Sequence, residues 1–259
     1  MILSVFNLSH GAITDLQMQK VIRAINVQIE RDFEPYWNFG ATLRLEGHTA
    51  RKGKQRFKFE PLDMRGDGVL YVLDKFNKDL GGAHETDFRG VPGGVVYLDL
   101  SAGLQEKWTV SLSHEALEMV ADPQTNLLVQ GPHPEDRERE VFHWFEVCDA
   151  VQAQTYPIDG IEVSDFVLPL YFTPSTEPGS RNNFMGTTVR GKTSYRLPSF
   201  GVARGGYIGY YDPKKDEHLT YEQQGDALAM KRRIVKQGRA GRRAQRMAKT
   251  AKFAKIPKT

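Results

Sequence analysis

His114, Glu115 and Glu118 lie in one short stretch of the chain with the spacing of a metal-binding helix. The stretch runs from Trp108 to Pro123 and reads WTVSLSHEALEMVADP. On a helix of about 3.6 residues per turn, His114 and Glu118 project from successive turns of one face and can bind the same ion. Glu115 lies beside them, at the position of a general base acting on a metal-bound water. This spacing predicts metal-assisted hydrolysis, with Zn2+ as the expected ion and another divalent metal as the alternative.

The polar residues of this stretch form a narrow stripe on an otherwise apolar helix. The stripe consists of Ser111, His114, Glu115, Glu118 and Asp122. A helix that is apolar around most of its circumference is typical of a buried position. Buried acids and imidazoles need partners, because leaving them unpaired costs several kcal/mol or shifts their pKa, and one metal ion would satisfy them together. The alternative is an ordinary helix fragment with solvated glutamates and a hydrogen-bonded histidine.

A second group of acids follows in the segment from Val141 to Val151, which reads VFHWFEVCDAV. If this segment is extended, Glu146 and Asp149 face opposite sides, so only one of them faces the metal. Glu146 is the predicted third ligand, and Asp149 is predicted to support the ligands from outside or to substitute for Glu146. Asp149 could equally cap backbone amides or pair with an arginine. His143 is a further alternative ligand.

Two other residues near these groups are candidates for the same site. Asp122 ends the helix before Pro123, where the outward-pointing carbonyl dipoles disfavour a carboxylate. We expect Asp122 to organise the turn, with metal ligation as the second interpretation. His84 lies in a glycine-rich connection over 81–94. It is expected to be a loop histidine, with lining of the cleft as the alternative.

The remaining patterns predict the elements that must position these residues. Thr14, with Gln17 three residues later, predicts a capping box and an amphipathic helix that ends before Pro35. Asp159-Gly160 predicts a turn between two strands, and Thr173 to Thr193 a long surface loop. Four strands are predicted, Ile2 to Leu8, Ala41 to Leu45, Val69 to Leu73 and Val95 to Leu100, and Arg204 to Pro213 is predicted to form a turn or hairpin.

Length and composition restrict the class of protein. A chain of 259 residues can bury a substantial core, and no apolar run reaches the roughly 18 residues of a membrane span. The first ten residues show no secretory pattern, so we expect a cytoplasmic protein without a membrane partner. The single cysteine, Cys148, excludes an internal disulfide and fits a reducing compartment.

The net charge of +3 conceals an uneven distribution along the chain. Residues 231–259 hold 12 of the 35 basic residues and no acid, which leaves 23 basic against 32 acidic residues elsewhere, a difference of −9. The basic side chains recur every three or four residues, as in Arg239, Arg242, Arg243, Arg246 and Lys249. Such a segment, if helical, would bind nucleic acid or another polyanion non-specifically and with strong salt dependence. The alternative is a solvated tail that aids solubility.

With HEALE on a helix, the preceding VVYLDL and the downstream EVCD, the chain resembles the zincin-like metalloprotease superfamily. More narrowly, it resembles bacterial and phage proteins with S-H-E-x-x-E-M-x-x-D-P followed by E-x-x-D. The resemblance implies His114 and Glu118 as ligands, Glu115 as base and Glu146 as the later ligand. It also implies a peptide substrate that binds along the edge strand of a sheet, the position expected for Val95 to Leu100. A glutamate replaces the second histidine of the superfamily, and the basic tail is outside its pattern.

These observations predict an α+β fold of zincin-like type: a twisted mixed sheet with the active-site helix beneath it. A β-rich C-terminal portion and a basic helical or disordered tail would follow. The predicted domains are a metal-binding unit over 1–220 and the tail over 221–259. The predicted function is zinc-dependent hydrolysis, with a peptide or protein as the expected substrate. The alternative is an inactive zincin-fold structural protein that associates with nucleic acid through its tail, for example in a virion.

Overall fold

Strands from the first hundred residues form a five-stranded sheet. The computed structural model describes residues 1–46, 66–75, 85–86, 91–174, 180–186, 188–190 and 194–222. The strands of this sheet are β1 (Ile2–Leu8), β2 (Thr42–Leu45), β3 (Gly68–Leu73), β4 (Glu85–Thr86) and β5 (Pro92–Tyr97). Their order is β2-β1-β3-β5-β4, and every pair is parallel except β4 with β5. The prediction of a mixed sheet is therefore confirmed.

The first helical segment follows β1 and changes its geometry along its length. Thr14 and Gln17 form the predicted capping box at the start of α1 (Asp15–Val27). The chain continues as a π-helix over Gln28–Phe33 and then as α2 (Glu34–Trp37). The prediction that the helix ends before Pro35 is wrong, because the helical path continues to Trp37. Proline is tolerated in the first turn of α2, where a backbone N–H needs no helical partner.

The next two helices follow β5. Residues 98–100, predicted as strand, instead begin α3 (Leu98–Gly103), in which the Ser101 hydroxyl donates to the Tyr97 carbonyl at 3.0 Å. β5 therefore ends at Tyr97, and β4 rather than β5 lies at the edge of the sheet. The alternation in VVYLDL fits a strand locally but does not reveal where the chain turns away.

The central helix, α4 (Trp108–Ala121), is buried along almost its entire length. Twelve of its 14 residues are buried, which confirms the prediction from its apolar wrapping. It packs against β3 and β5, and Gly68 allows the close approach, since a methyl group there would lie 3.0 Å from Met119 Sδ. The main core joins α1 and α4 to one face of the sheet through Leu3, Val5, Leu70, Val72 and Val96.

The remaining strands of the described chain form antiparallel sheets. A four-stranded sheet has the order β13-β12-β7-β6, and two hairpins pair β8 with β9 and β10 with β11. Asp159 and Gly160, with φ of 49° and 75°, form the predicted turn between β8 and β9. The strands are β6 (Leu128–Pro132), β7 (Glu140–Trp144), β8 (Thr155–Ile158), β9 (Ile161–Ser164), β10 (Thr188–Arg190), β11 (Ser194–Arg196), β12 (Tyr207–Asp212) and β13 (Glu217–Glu222).

The structure corrects three boundaries in this half. The predicted helical or disordered tail over 221–259 is wrong at its start, because Tyr221 and Glu222 pair with β12. The predicted surface loop over 173–193 includes a strand, β10. The segment over 141–151 is extended only to Trp144, and a 3-10 helix covers Asp149–Val151. The fold thus mixes helices with a largely parallel sheet and separate antiparallel sheets. No helix in the described ranges has both the length and the apolarity needed to cross a bilayer.

Asp165 anchors the segment 180–186 from inside the protein. Its carboxylate accepts hydrogen bonds from the Asn183 side chain and from the Met185 backbone N–H. Burial nevertheless raises the pKa of Asp165 from 3.8 to about 6. The folded state therefore holds the Asp165 proton more tightly than the unfolded state does. The contribution of Asp165 to the free energy of unfolding is fully present below pH 3.8 and is lost as the pH rises through 6.

We expect Asp165→Asn to flatten this pH dependence. The difference in unfolding free energy between pH 4 and pH 7 should shrink by about 1–3 kcal/mol relative to the parent protein. Comparing two pH values within each variant separates the titration from the altered hydrogen bonds. Urea unfolding at the two pH values measures this difference. Asp99→Asn is the control, because Asp99 is exposed. An unchanged difference in Asp165→Asn would show that another group produces the slope.

Candidate metal centre

The imidazole of His114 lies between two buried carboxylates. Its Nε2 atom is 3.0 Å from Glu118 Oε1 and 3.2 Å from Asp149 Oδ1. The three side chains are 2%, 1% and 5% exposed, so solvent does little to screen their charges. A single imidazole nitrogen carries at most one proton and can donate it fully to only one acceptor. A cation between the three groups would compensate both carboxylates at once.

Two segments bring these side chains together. His114 and Glu118 project from successive turns of α4, as their spacing predicts. Asp149 comes from the chain beyond β7, where the extended backbone ends at Trp144 and the 3-10 helix starts at Asp149. The Cys148 backbone N–H, within this turn, donates to Glu118 Oε1 at 3.4 Å and so connects the two segments.

The Cys148 thiol lies in the same group of donor atoms. One ligand atom each from His114, Glu118 and Cys148 falls within 4.8 Å of the others. The sequence analysis used Cys148 only to infer the redox compartment and missed it as a candidate ligand. Its position directly before Asp149 in EVCD is the one signal that could have identified it. The turn that replaces the predicted strand allows two successive residues to approach His114.

The distances and donor types fit zinc. Ligand atoms held by a tetrahedral zinc are about 3.3 Å apart, since zinc–nitrogen and zinc–oxygen bonds are about 2.0–2.2 Å. The separations of 3.0 Å and 3.2 Å around His114 Nε2 are close to that value. Imidazole, carboxylate and thiolate are all zinc ligands. His114, Glu118 and Cys148 would therefore accept the ion with little movement, whereas the Asp149 carboxylate, which is outside their group, would have to move closer to share it.

A buried polar network fixes α4 next to His114. The Ser113 hydroxyl donates to Gln28 Oε1 at 2.7 Å and accepts from the Ser164 backbone N–H at 3.0 Å. The Gln28 side-chain amide in turn donates to the Ser164 carbonyl at 2.7 Å. Gln28 is the first residue of the π-helix, a geometry that often occurs at functional sites. The network holds α4 against β9 and so fixes the position of His114.

Glu115, the predicted general base, is buried in α4 with 4% of its surface exposed. It is outside the group formed by His114, Glu118 and Cys148. Its role as general base stays a prediction.

Glu146 and His143, two predicted ligands, line a small cavity beside Asp149. The cavity measures about 10 Å3 and is also lined by Tyr171. That volume holds about one water molecule. Neither residue is in the group formed by His114, Glu118 and Cys148, and neither is Asp149, which differs from them in contacting His114 Nε2. Asp149 instead takes the place beside His114 that the extended-strand prediction assigned to Glu146.

His143 has hydrogen bonding that favours a structural role. Its Nε2 lies 2.8 Å from the Pro132 carbonyl, which can only accept, so Nε2 carries the proton. Burial lowers the pKa of His143 to about 4 and keeps the ring neutral at pH 7. The ring also packs against Phe200 at 4.6 Å between centroids.

Asp122 adopts the turn role that the sequence analysis placed first. Its carboxylate accepts from the backbone N–H groups of Asn126 and Leu127 at 3.1 and 2.9 Å. These bonds organise the connection from α4 to β6, which explains an aspartate at this helix end. Asp122 is not in the ligand group.

The remaining candidates lie outside the described residues. These are His84 and the basic tail residues Arg239, Arg242, Arg243, Arg246 and Lys249. Their roles, and the binding of nucleic acid through 231–259, stay predictions.

Comparison with known proteins found no matching family model, no matching curated protein and no matching solved structure.

Proposed function

We propose that this protein is a zinc-dependent hydrolase of the zincin-like class that cleaves peptide bonds. The observation that carries the proposal is the position of His114 Nε2 between the buried carboxylates of Glu118 and Asp149. His114, Glu118 and Asp149 would hold the ion, with Asp149 in place of the predicted Glu146. When bound, zinc would polarise the substrate carbonyl and make a water molecule nucleophilic at neutral pH.

Glu115 supplies the proton transfers in this proposal. Its carboxylate would accept a proton from the attacking water and then donate it to the amine that leaves. Glu115 suits that role because it is buried and follows His114 directly in α4. A low-dielectric position strengthens its interaction with the reacting groups.

The sheet provides a position for an extended substrate. β5 packs against α4, and β4 pairs with β5 at the edge of the five-stranded sheet. An edge strand offers backbone groups that a peptide can pair with as an added strand. In zincins the edge strand runs along the cleft above the active-site helix; here β4, and not the predicted Val95 to Leu100, would take that position.

The metal content of the purified protein tests the proposal. Purification without chelators should yield about one zinc per chain by elemental analysis, and His114→Ala should lose it. His133→Ala is the matched control, because His133 is also buried but lies beside Tyr210 in the antiparallel sheet. Absence of stoichiometric metal from the parent protein, or retention of metal by His114→Ala, would contradict the proposal.

The burial of the centre favours a second candidate function, a structural metal site. A catalytic zinc needs an open position for water, whereas a structural zinc is enclosed by four protein ligands. The described part of the chain leaves the candidate ligands no more than 5% exposed, beside a cavity for about one water. Stoichiometric zinc with no hydrolysis of any peptide tested would favour this candidate.

A further inference from the structure

The Cys148 side chain adds a sulfur donor to the proposed centre. We propose that Cys148 binds the metal as a thiolate and makes the centre selective for zinc over harder divalent ions. This inference rests on the proposed metal centre and concerns which ion that centre takes. For a four-coordinate zinc that keeps a position for water, Cys148 would bind with His114 and Glu118, while Asp149 would contact only the imidazole. Binding of Asp149 as well would give the structural metal site described above.

The geometry gives Cys148 two connections to the ligands on α4. Its donor atom lies within 4.8 Å of those of His114 and Glu118, and its backbone N–H donates to Glu118 Oε1. Asp149, the next residue, contacts His114 Nε2 at 3.2 Å. In an extended strand, successive side chains point to opposite sides. Here the turn before the 3-10 helix brings both residues to the same imidazole.

The thiolate changes the chemical character of the site. Without it, one imidazole and two carboxylates form a nitrogen and oxygen set that also suits Mn2+. With it, the set contains a soft ligand that favours Zn2+ over Mn2+ or Mg2+. On binding, the thiol loses its proton to solvent as the sulfur–metal bond forms. The fully buried position of Cys148 keeps water away from that bond.

Cobalt substitution tests the thiolate directly. Co2+ bound by a thiolate shows sulfur-to-metal charge-transfer absorption in the near ultraviolet, in addition to visible bands from the metal itself. Cys148 is the one cysteine of the chain, so this absorption has a single source. We expect it in the parent protein and not in Cys148→Ser, which should keep the visible bands.

Competition between Zn2+ and Mn2+ measures the selectivity. Cys148→Ser should reduce the preference for Zn2+ over Mn2+ by at least about 10- to 100-fold. That is the loss of metal affinity expected when a residue that only supports a ligand is removed. Val147→Ala is the control, because it truncates the buried neighbour without removing a donor atom and should keep both properties.

The outcomes separate this inference from the proposed function. Visible cobalt bands without charge transfer in the parent protein would overturn the role of Cys148 and leave the metal centre in place. An unchanged preference for Zn2+ in Cys148→Ser would overturn the selectivity. If the parent protein binds neither Co2+ nor Zn2+, the proposed metal centre itself fails. If Cys148→Ser does not fold, the charge-transfer spectrum of the parent protein decides alone.

Discussion

Glu115→Gln is expected to lower peptide hydrolysis about 100- to 10,000-fold while leaving the zinc in place. Glutamine has nearly the same volume and can still accept a hydrogen bond, but it cannot take a proton from water. The change therefore removes proton transfer and little of the packing around α4. This separation matters because Glu115 is buried, and a larger change would disturb the helix.

The measurement combines two assays on one preparation. A library of quenched fluorescent peptides reports hydrolysis, and elemental analysis reports zinc. Glu162→Gln is the control: Glu162 pairs with Lys107 at 2.8 Å, is 38% exposed and should leave both values unchanged. Loss of zinc together with hydrolysis would make Glu115 a ligand instead of the base. Equal hydrolysis in the variant would remove Glu115 from the chemistry, and no hydrolysis by the parent protein would leave the structural metal site.

The burial of α4 and the pairing of His114 with Glu118 could be predicted from the sequence. Both follow from local spacing on one helix, which is about 3.6 residues per turn wherever the helix lies. The capping box at Thr14 and the turn at Asp159-Gly160 were predictable for the same reason, since each depends on a few neighbouring residues.

The choice between Asp149 and Glu146 could not be predicted in this way. It depends on where the strand that includes Val141 ends. The residues after Trp144 remain largely apolar, so the sequence still resembles a strand where the extended backbone has already ended. The turn is held by contacts from distant parts of the chain, such as the Val167 backbone N–H, which donates to the Val147 carbonyl at 2.7 Å. Such contacts leave no local signal.

The edge of the sheet was misplaced for a related reason. Val95 to Leu100 alternates like a strand, but the backbone N–H of Asp99 donates to the Asp74 carbonyl at 3.2 Å, after the end of β3. The chain has already turned into α3 at that point. The position of β4 outside β5 depends on the antiparallel pairing of Glu85 and Thr86, a property of the sheet as a whole.

The identity of the acidic third ligand gives the second large expected effect. Asp149→Asn should lower zinc affinity by about 10- to 100-fold or more, whereas Glu146→Gln should change it little. Asp149 contacts His114 Nε2 at 3.2 Å, while Glu146 is half-buried in the wall of the neighbouring cavity. Both variants remove one negative charge at almost constant volume, so each serves as the matched control of the other.

Competition with a chromophoric chelator measures the two affinities on folded protein. The difference between the variants tests the turn directly, because only a turn between Trp144 and Asp149 lets Asp149 share the His114 side of the chain with Cys148. A large loss in Glu146→Gln with an unchanged Asp149→Asn would instead support the extended arrangement, in which Glu146 faces the metal. A large loss in both would mean that both carboxylates bind the ion, which would then leave no position for water in a four-coordinate site.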